Sequence, residues 1–145
     1  MRRKSSLSIA LLLFSAVLLP FASIPAVASA EIDVALSSQH EYLVPGTAAN
    51  VSVTVTNDNL MNTRTFDLTL NTTLLPSNWN VTLADSVLGP VFPTQSDSTT
   101  LIVRLDPSAN LGANGQIDLI ATRSDDANES TTVTLHLSVS PLYLP

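Results

Sequence analysis

The two histidines, His40 and His136, are the imidazole side chains of this sequence and its first candidates for metal binding. His136 lies in the polar phase of a strand pattern, where Asp67 or Asp118 of neighbouring strands would share its face. Two carboxylates and one imidazole suit a divalent ion, but no ligand spacing typical of a metal site accompanies them. We therefore interpret His136 as a solvated histidine on a half-exposed strand, and His40 as a residue of the loop after the first strand.

A second set of potential metal ligands is acidic. Four residues that carry oxygen ligands of the kind calcium prefers lie together: Asp125, Asp126, Asn128 and Glu129. They lack the order and the glycine of an EF-hand, and they cluster in one turn, whereas glycosidase carboxylates face each other across a groove. The pattern favours a polar hairpin tip without a metal.

Composition excludes several other chemistries. The chain has no cysteine, which excludes disulfides, zinc thiolate sites and cysteine nucleophiles. After Lys4 there is no lysine for a Schiff base or a P-loop, and no Gly-x-Ser-x-Gly elbow occurs. From Glu31 onward three arginines face twelve carboxylates, a formal balance of −9. Nucleic acid and anionic lipid are therefore unsuitable partners, and we predict a non-enzymatic protein without cofactors.

Aromatic side chains are the usual platforms for sugar rings. Phe66 and Trp79 are in phase with apolar neighbours, which indicates core positions. Tyr42, Phe92 and Tyr143 lie outside the predicted strands and are the candidate binding residues, although they form no spaced stripe. Tyr143 belongs to an apolar tail, residues 141–145, that follows the last predicted strand and is a further candidate for contact with a partner.

Four Asn-x-Ser/Thr sequons begin at Asn50, Asn71, Asn80 and Asn128. Several such motifs are expected by chance among abundant serine and threonine. They would matter only in a host that glycosylates exported proteins.

Residues 1–30 have the organisation of a secretory signal peptide. A basic start is followed by an apolar run over residues 9–19, too short to span a bilayer, which needs about 20 residues. Ala28 and Ala30 supply the small residues before a cleavage site at Glu31. We predict a mature protein without stable membrane insertion, secreted or in the cell envelope, and its lack of disulfides favours a prokaryotic source.

The mature chain alternates apolar and polar residues with period two, and it lacks a helical period. Seven such alternating segments occur between Ile32 and Val139, separated by turns that contain Pro, Gly, Asn or Asp. This pattern predicts an all-β fold, a seven-stranded antiparallel immunoglobulin-like β-sandwich with Greek-key connections over residues 31–140. The gap 84–97 carries two prolines and is predicted to be a loop that crosses between the sheets. A closed barrel is the alternative.

Two segments carry a resemblance to a known family. Residues 50–57 and 65–70 resemble the opening of a bacterial immunoglobulin-like repeat, and Leu75–Leu83 (LPSNWNVTL) is similar to the Pro-x-Gly-Trp segment of NEW3 domains. The resemblance spans residues 32 to 140 and departs from the family pattern at residues 88–97 and at Gly115. It implies a non-catalytic module of an exported prokaryotic protein.

Our functional hypothesis is a non-catalytic secreted or cell-surface module for adhesion, spacing or accessory binding. The alternative is a carbohydrate-binding accessory domain of a secreted glycosidase, which rests on family analogy. The partner is a protein or a polysaccharide, and the residues do not distinguish the two.

The signal-peptide prediction can be checked by amino-terminal sequencing of the exported protein. We expect its first residue to be Glu31, because Ala28 and Ala30 present small side chains to the signal peptidase. A membrane-bound product that retains Met1 would contradict both the cleavage and the predicted localisation.

Overall fold

The segments in which apolar and polar residues alternate form extended strands. This computed structural model describes residues 31–141. The strands are β1 (Ile32–Leu36), β2 (His40–Leu43), β3 (Ala48–Asn57), β4 (Arg64–Asn71), β5 (Trp79–Leu83), β6 (Val87–Val91), β7 (Ser96–Leu105), β8 (Asn114–Arg123) and β9 (Asp126–Val139). The predicted signal peptide with Ala28 and Ala30, and Tyr143 in the tail, lie outside the described residues.

The strands form two sheets that pack face to face. One sheet has four strands in the order β1-β3-β7-β5, and the other has five in the order β2-β9-β8-β4-β6. Each sheet buries one face because its strands alternate apolar and polar side chains. The predicted all-β immunoglobulin-like sandwich is confirmed.

The core lies between the sheets and consists of the apolar phases that the sequence indicated. In β3, for example, Val51, Val53 and Val55 point inward, whereas Ser52 and Thr54 point outward. β-Branched side chains suit these positions because they pack well on a pleated surface. The largest fully buried apolar side chains are Phe66, Leu101, Ile117, Leu119, Leu135, Leu137, Val51, Val53, Val55 and Val103.

The structure corrects the strand count, since nine strands replace the predicted seven over the described residues. One addition is β2, which pairs in parallel with the end of β9, so the sandwich is not purely antiparallel. His40 therefore opens a strand and does not lie in a loop. The segment escaped prediction because only four residues form it and its one buried side chain is Leu43.

The other addition is β6, which lies inside the predicted loop 84–97 and pairs with β4. The sequence pattern did not reveal this strand because Gly89 and Pro90 are unusual within strands. Both residues are tolerated here because β6 lies at the edge of its sheet. Gly89 has a φ of +116°, and a Cβ there would lie 2.9 Å from the carbonyl oxygen of Arg64. The predicted crossing between the sheets occurs twice in this segment, at residues 84–86 from β5 to β6 and at residues 92–95 from β6 back to β7 in the first sheet.

The register of the sheets can be tested with carboxylates. Val53→Asp or Leu135→Asp would place a charge among fully buried apolar groups, which should cost several kcal/mol of the roughly 5–10 kcal/mol that such a domain has. We expect both variants to be largely unfolded or insoluble when examined by circular dichroism and urea denaturation.

Two outward-facing substitutions serve as matched controls. Thr54 lies next to Val53 and Thr132 lies near Leu135, but the side chains of both threonines point away from the core. Thr54→Asp and Thr132→Asp should therefore each lower the unfolding free energy by about 1 kcal/mol or less. Equal damage in all four variants would mean that both faces of these strands are covered.

Candidate functional site

The fully buried side chain of Asn57, the last residue of β3, organises one end of the sandwich. Its Nδ2 donates hydrogen bonds to the carbonyl oxygens of Asn62 and Val91, both at 2.9 Å, and its Oδ1 accepts one from the main-chain N of Asn59 at 3.1 Å. Its main-chain atoms bond Gln95 and Thr94. Asn57 thus fixes loops 58–63 and 92–95 together.

We call this region the loop end, and define it as loops 58–63 and 92–95 with the turn 124–125. The main-chain N of Ser124 donates to the carbonyl oxygen of Thr65 at 3.0 Å, which places the turn beside the start of β4. Glu31 lies there too, because its carbonyl oxygen accepts a 3.0 Å bond from the main-chain N of Asp58.

Three large apolar side chains are exposed at the loop end: Leu60 by 79%, Met61 by 86% and Phe92 by 64%. We call them the apolar crest. The side chain of Asn59 stabilises loop 58–63, which carries Leu60 and Met61. Its Oδ1 accepts hydrogen bonds from the main-chain N of Met61 and of Asn62, at 2.8 and 2.7 Å. Phe92 was a predicted binding residue. Leu60 and Met61 were missed, although two large apolar residues between asparagines, outside the strand pattern, were a usable signal.

Charged side chains at the loop end pair with one another. Arg123 contacts Asp125 through Nε at 2.6 Å, Glu31 through Nη1 at 3.2 Å and Asp126 through Nη2 at 3.1 Å. Arg64 contacts Asp125 at 3.1 Å and Glu31 at 3.6 Å. The two guanidinium groups therefore offset most of the negative charge that these three carboxylates bring to the loop end.

The position of Arg123 has two opposed electrostatic effects. Burial of the guanidinium, the largest single influence, lowers its pKa, while the charges of Asp125, Asp126 and Glu31 raise it. The attraction prevails, so the pKa of Arg123 lies above its ordinary value. Arg123 accordingly stays charged and acts as a structural counter-ion at the loop end.

The same contacts bear on the acidic set considered for calcium. The carboxylates of Asp125 and Asp126 face arginines, and Asp126 also accepts hydrogen bonds from Asn128. Glu129 lies farther along β9, in the strand. The turn is thus a polar hairpin tip whose oxygens already have partners within the protein.

The set of potential metal ligands around the histidines is brought together only in part. His40 and His136 are register partners of β2 and β9, and their rings stack with centroids 4.9 Å apart. Asp118 lies two rungs along the sheet from His136, where its carboxylate accepts hydrogen bonds from Thr134 and Gln116. Asp67 pairs with Thr122 farther toward the loop end. No group of three or more His, Asp or Glu side chains suited to a metal occurs within residues 31–141.

The aromatic candidates are separated. Tyr42, exposed by 69%, pairs with Ser138 near the far end of β9, roughly 40 Å along that strand from the loop end and Phe92. Trp79 is exposed by 6% and belongs to the core, as predicted. Tyr42 and Phe92 therefore do not form a common sugar-stacking platform. Each of the four sequon asparagines is exposed and lies in a strand: Asn50 in β3, Asn71 at the end of β4, Asn80 in β5 and Asn128 in β9.

No protein-family model and no curated protein sequence matches this chain. Solved structures do. The PapD-like domain 7 of human CEP192 (an ASH / PapD-like domain) is similar over 99% of this chain and 100% of its own, with 10% identity and a TM-score of 0.52. The secreted serine protease VesC from Vibrio cholerae matches over 76% of this chain, with 9% identity and a TM-score of 0.53.

These likenesses concern the fold. The chain covers only 23% of VesC, so it spans about a quarter of the length of that protein. The identity of 9% to VesC is too low to carry an activity across. What the comparisons show is an immunoglobulin-like β-sandwich fold, similar to that of a PapD-like domain. The narrower resemblance to NEW3 domains stays a prediction. In residues 31–141, no helix has the length and apolar character needed to span a membrane.

The role of Asn57 can be measured by urea denaturation. Asn57→Ala would leave the carbonyl oxygens of Asn62 and Val91 without their buried donor, so we expect a loss of about 2–4 kcal/mol of unfolding free energy. Asn57→Asp keeps the shape but turns a carboxylate oxygen toward two carbonyl oxygens, and it should be at least as damaging.

Asn62→Ala is the matched control, because Asn62 takes part in these loops through main-chain atoms. Its cost should stay below about 0.5 kcal/mol. If Asn57→Ala were as mild as the control, the loop end would not depend on the buried amide.

Proposed function

We propose that this chain is a non-catalytic, exported immunoglobulin-like module that binds a protein partner through the apolar crest of its loop end. The exposure of Leu60, Met61 and Phe92 on two loops held by Asn57 is the observation that carries the proposal. Large apolar side chains gathered at one surface commonly mark an interaction site.

The loops are preorganised for such a contact. The side chains of Asn57 and Asn59 make four hydrogen bonds with the main chain of loop 58–63, and the main chain of Asn57 makes two more with loop 92–95. Little loop entropy therefore remains to be lost on binding. A protruding apolar anchor on a rigid loop fits a concave apolar pocket on a partner.

The surrounding charges favour a protein over a charged polymer. Arg64 and Arg123 pair with Glu31, Asp125 and Asp126, so these charges at the loop end are largely neutralised, whereas Asp58 of loop 58–63 is exposed and adds a negative charge. Among the described residues, Arg104 is the remaining arginine, and it lies on the outer face of β7. The crest therefore offers apolar contact and weak electrostatic attraction.

The proposal can be tested by binding of the labelled protein to intact cells of the producing organism. A cysteine introduced as Leu111→Cys, in the exposed loop between β7 and β8, would carry the dye in every variant, since the natural chain has no cysteine. We expect saturable binding that Leu60→Ser with Phe92→Ser weakens at least tenfold. Tyr42→Ser, which removes an equally exposed aromatic ring elsewhere, should bind like the parent protein.

Two pretreatments of the cells separate the proposal from its alternative. Protease treatment should abolish binding, whereas periodate oxidation of surface glycans should leave it unchanged. Loss after periodate alone would instead favour the carbohydrate-binding function, and full binding by the crest variant would contradict the assignment of the loop end.

A further inference from the structure

The two histidines form a feature that the apolar crest does not use. His40 of β2 and His136 of β9 are direct register partners on the outer face of the five-stranded sheet. Their rings stack with centroids 4.9 Å apart and planes inclined by 21°. Side chains at such positions in adjacent strands are close enough to interact directly.

Both rings are accessible. The two residues are exposed, and within residues 31–141 their hydrogen bonds are made by main-chain atoms, with Ser38 and Gln39. The terminal torsion of a histidine is broad, so each exposed ring can turn about its Cβ–Cγ bond. A modest rotation of each ring would direct one nitrogen from each strand toward a common point.

The surroundings suit a cation. Asp118 lies on the same face, where its Oδ1 accepts hydrogen bonds from Thr134 at 2.8 Å and from Gln116 at 3.2 Å. Gln116 is the register partner of His136 on β8. The neighbouring charge is thus negative, and no arginine occupies these positions of β2, β8 or β9.

We propose that His40 and His136 chelate one divalent transition-metal ion of the kind that prefers imidazole. Bonds of about 2.0–2.1 Å from two nitrogens would hold the ion, and water would fill its other positions. The affinity of a site with nitrogen ligands for divalent first-row metals generally increases up to Cu²⁺ and falls again at Zn²⁺. Cu²⁺ should therefore bind most tightly, and Ni²⁺ and Zn²⁺ more weakly. The ion would tie the short edge strand β2 to β9.

Titration of the tag-free, full-length exported protein with CuCl₂, followed by calorimetry and electron paramagnetic resonance, tests this site. We expect one Cu²⁺ per chain with two nitrogen ligands. His40→Gln and His136→Gln should each weaken binding at least tenfold, and the double variant should bind about as weakly as either single one, because one loss already destroys the chelate.

Thr132→Gln, an outward-facing change on the same strand, should leave Cu²⁺ binding unchanged. The metal-free unfolding midpoint of each histidine variant, compared with that of the parent, separates a lost ligand from a disturbed fold. MgCl₂ should give no binding heat. If each single variant kept the parent affinity, or if the parent bound Cu²⁺ no more tightly than the double variant, the two-imidazole site would be refuted.

Discussion

A single buried amide sets the conditions for the rest of the loop end. Asn57 ends a strand of the four-stranded sheet, yet its Nδ2 bonds the carbonyl oxygen of Val91, which ends a strand of the five-stranded sheet. Inside an apolar core an unpaired donor or acceptor is costly, so the two sheets and both loops must adopt the one arrangement that satisfies every bond. That constraint allows Leu60, Met61 and Phe92 to stay exposed on ordered loops.

The distribution of charge supports the same surface. After residue 30, carboxylates outnumber arginines fourfold. Two of the three arginines, Arg64 and Arg123, form ion pairs with carboxylates of the loop end. Apolar contact is thereby possible in a strongly acidic protein. Glu31, the predicted first residue after cleavage, takes part in these ion pairs, so the predicted processing would leave them intact.

Seven of the eight connections between successive strands in residues 31–141 cross from one sheet to the other, and two of these crossings supply the edge strands of the five-stranded sheet. β1 continues into β2 and β5 into β6, in both cases from the four-stranded to the five-stranded sheet. The first transfer lays β2 parallel to β9 and brings His40 against His136. The second closes β6 onto β4 beside Arg64. The edges of the five-stranded sheet therefore come from segments that carry little strand pattern of their own.

Period-two alternation by itself determined the seven principal strands, their inward faces and the burial of Trp79, because a strand that buries one face must alternate. It could not reveal β2 or β6, since a short edge strand buries too few side chains to leave a pattern, and glycine and proline are tolerated there. The pairing of His40 with His136 and the role of Asn57 depend on which strands become neighbours. Neighbours across a sheet are set by non-local packing, which the local order of residues does not encode.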